Sequence, residues 1–258
     1  MTQLPLGGAG ADRVLKLTVA YDGTDFHGFA AQPETRTVGG VLRDALARVL
    51  RADDVSLSCA GRTDAGVHAW GQVVSCAVGD TDVDPEKVAH SVTRQLAPEV
   101  VVRDATLVDA GFDARHSARW RAYRYTIVNR PAPDPFLART AWWVPEPLDL
   151  SRLRLAADPF LGEHDFATFC RKGPAGSTTV RRVLESCWHD LGDGVLRYDI
   201  RATAFCWQMV RSIVGTLVDV GAGKLRPGDM LTIIRARDRN AAGRVGVPQG
   251  LCLWEVGY

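Results

Sequence analysis

The stretch VSLSCAGRTDAGVHAWGQVVSCAV, residues 55–78, decides how the first half of the chain is read. Its two ends have the β-branched, partly alternating look of strands, and Gly61-Arg62-Thr63-Asp64-Ala65-Gly66 breaks between them. A glycine-flanked break between two such runs marks a hairpin, so strands are expected over 55–60 and 71–78. Upstream, VLKLTVAYDG (14–23) reads as a strand ended by Asp-Gly. From Val38 the apolar residues Val41, Leu42, Ala45, Leu46, Val49 and Leu50 recur at the three- and four-residue spacing of an amphipathic helix. Downstream, Asp84-Pro85 opens a second helix, with Asp as N-cap and Pro at the first helical position, running to about Leu96. VVVRDATLV (100–108) closes the unit as a strand. The order β-α-β-β-α-β is the split unit of ferredoxin-like folds, which lays two helices on one face of an antiparallel sheet.

From about residue 115 a similar order restarts: a strand at 122–129, a helix after Leu150, strands near 178–190 and 195–204, a helix over 206–221 and a last strand at 251–256. The expected class is therefore α+β: two ferredoxin-like, RRM-like halves with antiparallel sheets joined around a central cleft, a common place for a site. The expected division is a flexible tail at 1–12, a first domain at 13–114 and a second at 115–258.

Composition bounds the function classes. With 46% hydrophobic and 24% charged residues the chain is globular in type, and no apolar run approaches the ~20 residues of a membrane span. The start, MTQLPLGGAGAD, has no basic and apolar leader pattern, so a cytoplasmic location is expected. The six cysteines are scattered without metal-ligand spacing and read as buried small hydrophobes. A net charge of +1 argues neither for nor against an acidic partner. The distribution says more: 27 of the 31 basic residues are Arg, and they bunch, as in DARHSARWRAYRY (113–125). Arg interleaved with Trp120, Tyr123 and Tyr125 supplies phosphate forks and stacking faces suited to RNA.

Nucleotide-loop and hydrolase signatures fail: GAGKL (221–225) lacks the first Gly and the Ser/Thr of a P-loop, and neither G-x-S-x-G nor H-E-x-x-H occurs. Three placements stand out instead. Asp64 is either a turn aspartate bonding its own backbone or a carboxylate with chemistry to do, the second gaining from Arg62 and His68 on the same connection. Arg211 lies on a helix that leaves little of itself to water, so it either snorkels to the surface or finds an anion. Were it to reach Asp64, it would favour the charged carboxylate. Tyr123 is either core or a face on which a base can stack.

Six stretches, in order along nearly the whole chain, resemble the TruA-type tRNA pseudouridine synthases: YDGTDFHGFAAQP (21–33), GRTDAGVHAWGQV (61–73), FDARHSARWRAYRYTI (112–127), HDFATFC (164–170), MVRSIVG (209–215) and GLCLWEVGY (250–258). The G-R-T-D-x-G-V-H core is the specific one. The resemblance implies the pseudouridine synthase fold and a reaction that detaches uracil from ribose C1′, rotates it and rejoins it through C5, with no metal and no cofactor. It implies Asp64 as the essential carboxylate, Arg211 as its ion-pair partner, Tyr123 as the aromatic that contacts the base and Arg62 beside the flipped nucleotide. His68 joins them on the substrate side, chiefly as support for the loop. It also implies tRNA as partner, uridines of the anticodon stem-loop (tRNA positions 38 to 40) as targets, and a homodimer. The chain departs from the family in Gly28-Phe29-Ala30, where Gly-Trp-Gln is usual, and in Trp207-Gln208, where a Tyr or His often precedes Met-Val-Arg.

The chemistry suits these residue types. A stacked uridine must be flipped out, at a few kcal/mol, before an enzyme can work on it. Cleaving an N-glycosidic bond develops positive character on the sugar, which a carboxylate can stabilise or trap. Two other readings stand beside this one: a non-catalytic RNA-binding protein built on ferredoxin-like halves, and a base-processing N-glycosidase. The glycosidase would want a second carboxylate near Asp64, for which Asp22 and Asp25 are the candidates by sequence.

Overall fold

A computed structural model describes residues 13–79, 82–171 and 177–258; the tail expected at 1–12 lies outside the described residues. The first half follows the expected order: β1 (Arg13–Tyr21), α1 (Val38–Leu50), β2 (Ser58–Cys59), β3 (His68–Gly79), α2 (Pro85–Leu96) and β4 (Val100–Asp109). α1 starts where the Thr37 side chain accepts from the Gly40 amide, and α2 where Asp84 accepts from the Lys87 amide with Pro85 next in line. Leu15, Leu17, Leu42 and Leu46 are fully buried where strand and helix faces meet. Each such side chain contributes roughly 1.5–3 kcal/mol.

The second half comprises β5 (Trp120–Val128), β6 (Trp142–Trp143), α3 (Leu150–Ala157), β7 (Gly162–Asp165), β8 (Val180–Asp190), β9 (Val195–Ala202), α4 (Met209–Gly221), α5 (Met230–Ala236) and β10 (Leu251–Gly257). The α+β class holds, and the two halves share one sheet, ordered β4-β1-β3-β10-β5-β9-β8-β7. β10 makes the join. It runs parallel to β3, with Cys252 opposite His68, and antiparallel to β5, with Leu253 opposite Tyr123 and Leu251 opposite Tyr125. Leu251 and Leu253 are buried at this seam, as its alternating pattern requires.

Several boundaries differ from the sequence reading: β3 begins at His68 instead of 71 and β5 at Trp120 instead of 122, and two further differences have local causes. The strand expected at 55–60 shrinks to Ser58–Cys59, because Asp54 Oδ1 takes the Val55 amide, a local bond that competes with a ladder. The helix expected from 206 starts at Met209, because Gln208 sits in the left-handed region at φ 62°. Trp207 therefore projects from a turn that precedes α4.

Candidate active site

The connection between β2 and β3 is pinned along its length, which explains why it carries more than a hairpin needs. The Gly61 carbonyl accepts from Gln72 Nε2 at 2.7 Å, and the Thr63 hydroxyl lies 2.8 Å from the Tyr21 hydroxyl. The Thr63 carbonyl accepts from the Phe29 amide, the Gly66 amide donates to the Phe26 carbonyl, and the Val67 amide donates to the Asp64 carbonyl. Gly28, at φ +91°, lets the first loop lie flat on this one: a side chain there would come within 2.9 Å of the Thr63 carbonyl oxygen. Gly66 has φ +76°, a turn that only glycine adopts without strain. Held this way, Asp64 is aimed across the seam at the start of α4.

There it meets two donors from the other half. Arg211 Nη1 donates to Asp64 Oδ2 at 3.3 Å, and Trp207 Nε1 donates to Oδ1 at 2.9 Å. The Arg211 side chain is 15% exposed and that of Asp64 27%, so the pair is sheltered yet reachable. Arg211 is oriented by a second bond, from Nε to the Gly246 carbonyl at 2.8 Å, while the Gly246 amide donates to the Arg211 carbonyl. The segment bearing Gly246 is itself tied to α4: the Gly243 amide donates to Thr216 Oγ1, and Arg244 pairs with Asp219. A guanidinium split between a carboxylate and a carbonyl is held in one orientation, as a lysine would not be.

Tyr123 is buried, its ring edge-on to Phe205 at 4.9 Å, and a side chain at Gly61 would touch its hydroxyl. Burial pushes the Tyr123 phenol far above its ordinary range, so it stays protonated and can donate a hydrogen bond. Arg62 is exposed on the same loop. His68 is the first residue of β3 and is buried. Its Nδ1 accepts from the Gly23 amide at 3.0 Å and its Nε2 faces the Gln249 carbonyl at 3.1 Å. With both nitrogens committed to backbone, His68 braces the first loop and the approach to β10 against β3.

The structure thus brings Asp64, Arg211 and Tyr123 to one seam, leaves Arg62 at its surface and places His68 behind it. Two contributors escaped the sequence reading. Trp207 was visible only as a departure from a pattern, since the turn at Gln208 has no signature in the residue types. Arg121 read as part of a basic patch for RNA, but its guanidinium donates to the carbonyls of Ala60, Arg115, Ala118 and Thr203. It is a bolt between β5 and the start of the Asp64 loop.

Asp22 and Asp25, the carboxylates a glycosidase would need, are spent elsewhere. Asp22 Oδ1 accepts from the Thr24 amide and hydroxyl, and both aspartates pair with Arg139 from the second half. Among the described residues no helix is long and apolar enough to cross a membrane.

The signature of the family described as tRNA pseudouridine synthase matches residues 17–116 and 156–258. The chain belongs to that family. Similar relatives, each called tRNA pseudouridine synthase A, occur in Leifsonia xyli (43% identity, covering 94% of this chain and 91% of the relative), Brevibacillus brevis (41%, 95% and 99%) and Corynebacterium glutamicum (41%, 95% and 89%). The synthase is an isomerase that converts uridine in tRNA to pseudouridine. Both matched spans contribute to the seam, the first through Asp64 and the second through Trp207 and Arg211.

Proposed function

We propose that the synthase isomerises uridines of the anticodon stem-loop with Asp64 as its essential carboxylate, Arg211 as the partner that holds it, and no metal or organic cofactor. The observation that carries the site assignment is the Asp64–Arg211 pair, 3.3 Å apart and supplied by residues 147 positions apart in sequence. A carboxylate oriented by two donors, yet still in reach of substrate, is what a cleaving glycosidic bond requires. Arg62, exposed beside it, occupies the space left by the flipped nucleotide. Tyr123 forms the base's aromatic neighbour, with a protonated hydroxyl that can donate a hydrogen bond to it. The reaction needs one carboxylate, because the detached uracil is recaptured and no water has to be activated. The engagement of Asp22 and Asp25 with Arg139 favours this reading over a glycosidase.

In this reading residues 13–114 and 115–258 are two domains that share the active site, the enzyme works as a homodimer, and it acts in the cytoplasm, where its tRNA is. The test is tRNA carrying tritium at uridine C5, incubated with purified protein and no added cofactor. Wild type releases tritium. Asp64→Ala releases none while binding tRNA within about tenfold of wild type, since phosphate contacts dominate affinity. Equal release by both proteins refutes the assignment.

A further inference from the structure

The Asp64 carboxylate has a second donor besides Arg211, and it comes from a residue outside the helical surface. Trp207 Nε1 lies 2.9 Å from Asp64 Oδ1, closer than Arg211 Nη1 lies to Oδ2. The backbone is bent to put it there. Gln208 adopts φ 62°, in the left-handed region that residues other than glycine rarely occupy, immediately between Trp207 and the first residue of α4. The Trp207 carbonyl accepts from the Arg171 amide at 2.9 Å, which fixes the turn from its other side. The Arg171 guanidinium covers the indole at 4.3 Å from its centroid, while the residue stays 49% exposed. A half-exposed tryptophan held by a strained turn, a backbone bond and a stacked cation is fastened in place for its N–H.

We infer that Trp207 is a positioning residue, whose indole N–H fixes the orientation of the Asp64 carboxylate toward the flipped nucleotide. The inference rests on Asp64 being the essential carboxylate. A carboxylate offers about four lone-pair sites, of which Arg211 and Trp207 take one on each oxygen. Rotation about the Asp64 side chain is blocked from both ends, while the remaining lone pairs stay free for the reacting sugar or base. Preorganisation of this kind raises the rate of the chemical step and leaves tRNA affinity almost unchanged.

Single-turnover tritium release and tRNA binding, measured on Trp207→Phe, Trp207→His and Asp64→Ala in the full chain, test this. Trp207→Phe keeps an aromatic face for Arg171 and removes the donor. Its rate constant is expected to fall at least about tenfold, with tRNA affinity within about twofold, as loss of a hydrogen bond to a charged group predicts. Trp207→His returns a ring N–H and recovers part of that loss, which packing alone would not do. A Trp207→Phe rate within twofold of wild type, or an equal loss in Phe and His variants, overturns the inference. If Asp64→Ala itself remains active, the underlying site assignment fails instead, so the two failures are separable.

Discussion

Replacing Arg211 by Lys probes the pair at the centre of the seam. The guanidinium makes two bonds in different directions, Nε to the Gly246 carbonyl at 2.8 Å and Nη1 to Asp64 Oδ2 at 3.3 Å. A lysine ammonium is a single point that can satisfy one of these and not both. The lost bond involves a charged group, worth about 1.5–3 kcal/mol when sheltered. Asp64 is 27% exposed, and solvent screening argues for the lower half of that range. About 1.5–2 kcal/mol corresponds to a rate loss of roughly 10- to 30-fold. Arg211→Met keeps the length, removes the charge and leaves Asp64 to Trp207 alone, so it must be slower still. The fold should survive both changes, because the Gly246 amide bonds the Arg211 backbone carbonyl, which no substitution removes. The assay is single-turnover tritium release from C5-labelled tRNA, with circular dichroism melting as the folding control. A Lys variant within twofold of wild type, or a Met variant faster than the Lys variant, would falsify the claim that Arg211 orients Asp64.

Gly215→Ala should lower the melting temperature by roughly 3–10 °C, although alanine is ordinarily the better helix residue. Its methyl would fall 1.7 Å from the Arg244 carbonyl oxygen, so calorimetry showing a more stable variant would contradict that contact. Gly28→Ala, at φ +91° against the Thr63 carbonyl, should cut tritium release more than it cuts stability, since the strain is delivered to the Asp64 loop. Tyr123→Phe should retain tRNA affinity within about threefold, because the stacking face is kept; filter binding tests this. Acid unfolding should depend on Asp22. Burial pushes its carboxyl up, but hydrogen bonds from the Thr24 hydroxyl and amide, with the Arg139 charge, outweigh this and hold it below the ordinary 3.8. A depressed carboxyl contributes stability in full above the unfolded value and loses it as pH falls through the folded one. Asp22→Asn should therefore be less stable than wild type at neutral pH, with the gap closing below about pH 3.8; a gap constant across that window refutes the argument.

Much of this architecture is written in local patterns. The partial alternation in β1, the three-four spacing of α1 and the Asp84-Pro85 start of α2 are properties of neighbouring residues, so a linear reading finds them. The insertion of β10 between β3 and β5 is not local. Nothing in GLCLWEVGY names its partners, and the strand finds them by burying Leu251 and Leu253 against both halves. At the site the glycines and the surplus polar residues of the Asp64 loop could be seen, as could a buried arginine in need of an anion. That Asp64 is the anion follows only from tertiary geometry. The Trp207 bond depends on one residue, Gln208, adopting an uncommon backbone angle that its chemistry does not announce. The Arg139 clasp on Asp22 and Asp25, likewise, joins surface charges whose adjacency exists only after the halves meet.

That meeting has a consequence of its own. The carboxylate hangs from one half and both of its donors from the other, so neither half carries the constellation alone. Turnover is then a gauge of docking: any fluctuation that parts β10 from β3 or β5 disarms Asp64 before the core the halves share has melted. Heating should silence the enzyme at a temperature below its global unfolding transition, and hydrogen exchange should open first along Cys252, Leu253 and their partners His68, Ala69 and Tyr123. A change at the seam would alter the dose of active enzyme without touching a reacting group.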